Sequence, residues 1–584
     1  MWLSVWSFLL ISAQWGEAAE VLHRHVAETE PSNVMSGDGR VLSIVDFGAI
    51  SDTSFGVTEH HRFTEFHSFA KPSQDPWWMF RQDLDVVSIT QTNTRAFNLA
   101  LQQAKPGDTI LVPEGESFSF TGGIVGRYLR DVTLDVSGSM HFVHDQDIWP
   151  QFPSKHKGSA GDRWGFLPAI HIVDSSHVTL TCSASSRPTV TVNSKTNEVN
   201  LHQETGSAGV INGNGKIWWD EAILGRLPHK DPDYRPRLVL VESSVHVLVE
   251  NLTLLNSPFW TLTVEGMYIE VSNINVLVDR KYQTKTLASV ATPTDVAVSR
   301  SLRRRDLSSG WFPNDIPDWV GRKIRQPQDL NTDGIDPRGM HIFVHDCIIQ
   351  NADDSVAVKP PVDGVFTTAL NGTIPIACTH NVTIQNMVLT GFGASIGSVG
   401  PLRSHPCVDQ VIFKNITMPG TGKGIYIKSN KSNCLHNKTS TITNILYEDV
   451  YINQPFWWAI WIGPQQQHEP QEGLGGDCPL AYPLPGSQHC PTQGCATFEN
   501  ITLRNIYIED PFISPGVIMG NETNPIKNLV LEDVTVTSNT WEPWHGKWPF
   551  HESRYPYRGS FQCKHATGTC KNCFPAPSCL EVLH

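Results

Sequence analysis

Residues 500–503 read Asn-Ile-Thr-Leu, and close relatives of this phrase return along the chain: DVTL at 131–134, HVTL at 177–180, NLTL at 251–254, NVTI at 381–384 and NITM at 415–418. Looser copies are NILYEDVYI at 444–452 and NLVLEDVTV at 528–536. Aliphatic and polar residues alternate in each copy and β-branched types dominate, which specifies a short strand. The larger repeat is roughly 20–40 residues, the range of stacked solenoid units, whereas sandwich strands recur roughly every 8–12 residues with hairpin turns between them. Hairpin dipeptides such as Asn-Gly are scarce here. The pattern therefore predicts an all-β chain wound as a parallel β-helix, from about residue 41 to 545. Asn before a strand adopts the left-handed conformation readily and can stack on Asn of neighbouring coils.

Outside the repeat, a helical period is nearly confined to Thr94–Ala104 (TRAFNLALQQA), closed by Pro106-Gly107. Of 584 residues 17% are charged, below the usual quarter, which excludes a disordered chain. Forty-four basic residues against 58 acidic ones give a net charge of -14, which argues against a nucleic-acid partner. Residues 279–330 break the strand rhythm; their ten basic and six acidic residues make a +4 segment, read as a surface insertion. A sharper reading makes it a flap that attracts an anionic substrate. The eighteen Trp suit either core packing or stacking on sugar rings.

The first sixteen residues carry no charge, and Trp2–Ala13 is apolar but shorter than the roughly 20 residues a membrane span needs. With Gly16 and Ala18 at the small-residue positions, residues 1–18 read as a secretory signal peptide, followed by an N-terminal segment, 19–40. No later stretch reads as a membrane helix. Secretion agrees with twelve Cys, eleven of them at or beyond Cys347, which favours disulfides over metal or redox chemistry. Residues 546–584, holding Cys563, Cys570, Cys573 and Cys579, are expected as a stapled C-terminal appendage. Sequons occur at Asn251, Asn371, Asn381, Asn415, Asn430, Asn437, Asn500 and Asn521; those inside strand phrases are equally explained as corner residues.

Four phrases carry the chemistry: NTDGID at 331–336, NADDSVAVK at 351–359, GFGASIGSVG at 391–400 and KGIYIKS at 423–429. Asp333 and Asp354 are 21 residues apart, about one coil, so they fall on one face of neighbouring strands about 4.8 Å apart. Asp333, Asp353, Asp354 and Lys428 are thus expected to line one groove. Any one Asp before a strand is ordinarily a turn former. Three in adjacent coils, with a Gly-rich turn and a Lys following, are a different matter. Crowded carboxylates repel, so at least one should hold its proton. Glycoside hydrolysis needs that combination: a protonated acid for the leaving oxygen and an ionised base for water.

These four phrases resemble the signature blocks of the polygalacturonases, pectin-degrading glycoside hydrolases built as right-handed parallel β-helices. VDFGA at 45–49, NTRAFNLAL at 93–101, GVINGNGKIWWD at 209–220 and RPRLVL…NLTLLNSPFWTL at 235–262 extend the resemblance in family order over about 41–540, apart from 279–330. The resemblance implies that Asp353 is the general acid and that Asp333 and Asp354 hold and deprotonate the attacking water, with inversion at the anomeric carbon. It implies that Lys428 binds a substrate carboxylate. Two family residues are replaced: the His of Gly-His-Gly is Phe392, and the Arg of Arg-Ile-Lys is Tyr426. The expected protein is a secreted, monomeric hydrolase of galacturonate-containing polysaccharide, with no cofactor or metal and no nucleic-acid or membrane partner. The replacements keep two alternatives open: a rhamnogalacturonan-type hydrolase, or a carbohydrate-binding β-helix with impaired catalysis. A lyase on the same fold would want calcium-binding acids and an Arg or Lys as proton abstractor, and the missing Arg counts against it.

Overall fold

The computed structural model describes residues 39–583 except 53–75, 153–164, 194–198, 203–207, 229–232, 280–330, 362–365, 369–371, 375–377, 401–405, 431–438, 456, 467–477, 479–489, 512–513 and 538–559. The signal-peptide reading, nearly all of the basic insertion and the sequons at Asn371 and Asn437 lie outside the described residues.

The recurring phrase folds as its alternation requires. In NLTL, NVTI, NITM and NITL the Asn is left-handed, with φ of 60°, 54°, 53° and 57° at Asn251, Asn381, Asn415 and Asn500. The aliphatic residues that follow point inward: Val382, Ile384, Ile501 and Leu503 are fully buried, while Thr383 and Thr502 between them are less covered. Long strands built on these phrases stack in parallel, from Val239–Glu250 through Leu262–Ser272, Ile335–His345, Cys378–Leu389, Cys407–Pro419, Ser440–Asn453 and Ala496–Glu509 to Ile526–Thr537. A second parallel row runs Val356–Val358, Ala394–Val399, Lys423–Ser429, Trp458–Gln465 and Ser514–Met519, and Ile335 pairs with Val356 to join it. Parallel strands returning through crossovers take the right hand. The architecture is the right-handed parallel β-helix, with one aliphatic column running inside the coils.

Left-handed residues stack into two corner ladders. At one corner His177, His246, Tyr268 and His341 stack ring on ring at 4.7, 4.9 and 4.8 Å. The column continues through Asn381, whose amide donates to His341 Nδ1 at 2.8 Å, and on to Asn444, Asn500 and Asn528. At the second corner Asn386 donates to Asp346 and Asn415 to Asn386, at 3.0 and 2.8 Å. The Asn of the sequons at 381, 415 and 500 are therefore ladder members.

Among the described residues two α-helices lie outside the repeat. The first spans Pro76–Gln103, so the expected segment at 94–104 is only its last part. Upstream, Val86, Val87, Ile89, Thr90 and Thr92 are weak helix formers, and they blur the period. Ala96, Phe97, Ala100 and Leu101 are buried, and Phe97 meets Phe120 edge-on at 6.1 Å. Asn93 fastens the helix, accepting from Ile50 N at 2.7 Å and donating to Ser119 O at 2.9 Å. The helix covers an end of the solenoid that would otherwise offer open strand edges. The second helix, Lys216–Leu224, was not legible in the sequence; it buries Trp218 and Trp219 between Gly215 and Gly225.

The Cys-rich C-terminal appendage is joined to the stack. Phe561–Lys564 pairs with Ser514–Met519 and Ala566–Lys571 with Ile526–Thr537, and disulfides Cys563–Cys579 and Cys570–Cys573 staple it. Cys378–Cys407 and Cys478–Cys490 are also bonded, while Cys182 and Cys347 are buried thiols. Among the described residues no helix is long and apolar enough to cross a membrane.

Asn444 tests the ladder, since it is no sequon: φ is 55°, it donates to Asp409 at 2.7 Å and accepts from Asn500 at 3.1 Å. Asn444→Val is expected to lose about 2–4 kcal/mol, from a left-handed β-branched residue and two lost hydrogen bonds. Asn444→Gly is expected to lose about half of that, since glycine accepts the conformation. Denaturant unfolding of both variants measures the difference; equal losses would remove the backbone conformation as the cause.

Candidate active site

The chemical phrases meet where the second row of strands begins. In-register pairing aligns Ala357, Ser395, Tyr426, Trp461 and Val517 across five coils, with Val356, Ala394, Ile425 and Ile460 beside them in the interior column. The three aspartates sit at the entry to this row, on the turns before Ile335 and Val356.

A hydrogen-bond lattice fixes those turns. The Asn351 amide donates to Thr332 O and Asp354 O, both at 2.8 Å, and its carbonyl accepts from Ser355 Oγ at 3.0 Å. Ser355 Oγ in turn accepts Gly391 N at 2.9 Å. A Cβ at Gly391 would collide with Asn351 Oδ1 and Asp353 O, which explains the first Gly of Gly-Phe-Gly. Asp353 accepts Asn331 N on one oxygen and Asp354 N on the other, each at 2.8 Å. Phe392 N donates to Asp353 O at 2.7 Å, so Phe392 helps to hold the Asp353 backbone.

Buried lysines neutralise the carboxylates. Lys428 Nζ lies 2.7 Å from Asp354 Oδ2, while Ser395 Oγ donates to Asp354 Oδ1 at 2.8 Å. Lys359 Nζ lies 2.9 Å from Asp333 Oδ2 and 3.1 Å from Asp336 Oδ1. Lys423, 3% exposed, completes the set; its ammonium lies 3.9 Å from the Tyr426 ring, 4.8 Å from Trp461 and 5.3 Å from Phe392. Lys428 approaches the same Tyr426 ring at 4.2 Å. On the other side of the aspartates Trp260 is faced by Arg237, Lys359 and Arg338 at 4.3, 4.5 and 5.4 Å, and Arg338 lies 3.8 Å from Glu265.

These contacts set the protonation states. Burial pushes Asp354 up, but the charges of Lys428 and Lys359 and the bonds from Lys428 and Ser395 outweigh it and hold its carboxyl below the ordinary value. Burial pulls Lys359 and Lys428 down, and their carboxylate partners more than reverse this. Lys423 is held well below the ordinary lysine range by burial and then by the charge of Lys428. The carboxyl that keeps its proton is Asp336: burial raises it to about 8, against the opposing charge of Lys359 and with help from Asp333. The raised carboxyl is thus not one of the three aspartates singled out in the sequence, and burial rather than crowding is the main cause.

All six residues singled out in the sequence, Asp333, Asp353, Asp354, Phe392, Tyr426 and Lys428, fall into this one lattice. Lys428, expected on a substrate carboxylate, pairs with Asp354 in the structure. Lys359, Asp336, Ser395 and Lys423 were missed although they lie inside the four phrases. Their signal was register, since Ser395 pairs with Tyr426 and Asp336 adjoins Ile335, the partner of Val356.

Residues 315–474, which hold every residue of this lattice except the groove neighbours upstream, match the family model Glycosyl hydrolases family 28. Over 387 residues the chain is 23% identical to a probable exopolygalacturonase B of Aspergillus fumigatus, covering 61% of this chain and 68% of that protein. It is 22% identical to exopolygalacturonase B of Aspergillus niger, covering 70% and 80%. The solved structure of a family 28 exopolygalacturonase from Yersinia enterocolitica superposes with a TM-score of 0.53 at 12% identity, covering 94% of this chain and 76% of that one, a likeness of fold. Residues 315–474 thus resemble glycosyl hydrolases family 28, and the site departs from the polygalacturonase motif at Phe392 and Tyr426.

Asp336 gives the site a measurable signature. Its folded-state pKa of about 8 exceeds the ordinary 3.8, so the folded chain binds the proton more tightly. The resulting stability is fully present below the ordinary carboxylate range and is lost as pH rises through about 8. Asp336→Asn, which mimics the neutral acid, is expected to flatten the pH dependence of unfolding free energy across that window. A slope equal to that of the wild type would show that Asp336 is ionised throughout.

Proposed function

We propose that this chain is a secreted hydrolase that cleaves galacturonate-containing pectic polysaccharide by single displacement with inversion. The observation that carries the proposal is the lattice itself: three aspartates on adjacent coils, two of them paired to buried lysines, on one strand row. Lysine pairing supports the ionised form that a base needs, and Asp354, held below its ordinary pKa, suits that task. Asp333 shares the task of holding the attacking water, and Asp353 protonates the leaving glycosidic oxygen. The relatives' names, exopolygalacturonase, support a pectic substrate and attack from a chain end. Replacement of the family Arg by Tyr426 and of the His by Phe392 leaves room for a backbone that alternates galacturonate with rhamnose.

A second reading, a carbohydrate-binding β-helix with impaired catalysis, has its own support. Asp333 and Asp354 already have lysine partners, and both oxygens of Asp353 accept backbone N–H groups, which favours the carboxylate over the acid.

Asp353→Asn separates the two. Asn is nearly isosteric but has no proton to give, so hydrolysis of polygalacturonate or of a rhamnose-containing pectic backbone should fall by about 10²–10⁴ with the unfolding transition in place. Unchanged turnover would remove Asp353 from the acid's role. A wild type that binds these polysaccharides but cleaves none would establish the second reading.

A further inference from the structure

Outward side chains of the strand row stand in register from Ala357 through Ser395, Tyr426 and Trp461 to Val517, while Ile425, Ile427, Ile460 and Ile462 between them face the interior column. In an open groove these outward positions would form the floor, one to a coil. From Tyr426 onward they are covered instead: Tyr426 is 2% exposed, and Trp461 and Val517 are 0% exposed. The cover is the disulfide Cys478–Cys490, whose two residues are themselves buried. It packs with Tyr426, Trp458, Trp461, Val517 and Met519 in an apolar cluster distinct from the interior column.

Hydrogen bonds fasten this cover to the row. Gln465 N donates to Pro491 O at 2.9 Å, the Gln465 side-chain amide donates to Thr492 O at 3.0 Å, and Pro464 forms an antiparallel bridge with Thr492. Gln493 Nε2 donates to Asn524 O at 2.7 Å, a tie to the following coil. A disulfide across 12 positions restricts the local opening that packing alone would permit. The cover ends beside the reacting groups: Phe392 and Trp457 at its edge are only partly buried, and Phe392 N is bonded to Asp353 O. On the other side of the aspartates Trp260 is partly exposed.

We propose that the Cys478–Cys490 cover is the end wall of the site, which stops a polysaccharide at Phe392 and Tyr426. The terminal sugar lodges against this wall and the rest of the polymer leaves on the Trp260 side, so bonds are cut from one chain end only. A polymer lying across the row would have to displace the disulfide from Tyr426 and Trp461, and the site rejects internal bonds by that clash. This inference rests on the pectic reading above and assigns chain-end attack to named residues of this chain.

Product analysis of the full chain on polygalacturonate, on a rhamnose-containing pectic backbone and on end-tagged oligomers of each tests it. On the backbone that it cleaves, the wild type should release one small product from the outset, lower viscosity slowly for each bond cut, and fail on oligomers tagged at the lodged end. The double variant Cys478→Ala, Cys490→Ala should release fragments of mixed size and lower viscosity faster for each bond cut. A folded double variant with the wild-type product pattern would overturn the end wall and leave the pectic reading standing. So would a wild type that yields mixed internal fragments from the outset or cleaves oligomers tagged at either end, which needs no variant to fold. A wild type that cleaves neither backbone would overturn the pectic reading and this inference together.

Discussion

In a stack of parallel coils each strand must lie in register with the one before it. A slip of one residue would turn the aliphatic column outward and carry polar side chains into the core. This chain meets the constraint at its corners. A left-handed residue ends one strand direction and starts the next at the same level in coil after coil, from His246 to Asn528. Each such residue carries a backbone cost, which side-chain stacking or an amide hydrogen bond to the next corner residue offsets. The corners are where the chain chooses Asn, Asp, His and Tyr, and the interior is where it chooses Ile, Val and Leu.

The same register creates the site and its electrostatic problem. Because coils are stacked so closely, residues one coil apart are compelled to be neighbours, and acids placed on successive turns repel. The chain answers with lysines from other coils rather than with solvent: Lys359 against Asp333 and Lys428 against Asp354, all buried. Buried pairs of this kind are costly to break from one side, since the survivor is left charged and dry. They fix the positions of the carboxylates more firmly than exposed pairs could, and positioning is what a displacement reaction by water requires.

The fold was legible because its rule is local. Asn-Ile-Thr-Leu states the corner, the inward residue, the outward residue and the next inward residue in four letters, and the structure repeats that statement at Asn381 and Asn500. The site was legible as far as motifs reach, so Asp333, Asp353, Asp354 and Lys428 were found. Lys359 and Lys423 were not, because nothing in Val-Ala-Val-Lys or Lys-Gly-Ile-Tyr says which carboxylate, or which ring, the lysine will meet. That is decided by register between coils far apart in sequence, as when Lys359 reaches Asp333 across 26 positions and Lys428 reaches Asp354 across 74. The helix at 76–103 was found only in part, because the β-branched residues upstream of Asn93 blur the helical period. The chemistry assigned to Lys428 by resemblance also depends on what surrounds it, and here Asp354 occupies it.

Taken together, the charges show why two replacements in the motif need not empty the site of function. A Tyr in place of an Arg takes one positive charge from the row, but Lys359, Lys423 and Lys428 keep basic side chains beside the aspartates. Tyr426 contributes a ring that two ammonium groups share, and such a ring attracts both without neutralising either. Asp336, holding its proton, withdraws one negative charge from the acid side of the balance. Within the row Lys359 and Lys428 are each matched by a carboxylate, and Lys423 is held well below the ordinary lysine range, so the buried charges lie close to balance in a chain that carries -14. Such matched buried charges set the shape and polarity of the row at short range, where salt screens them least.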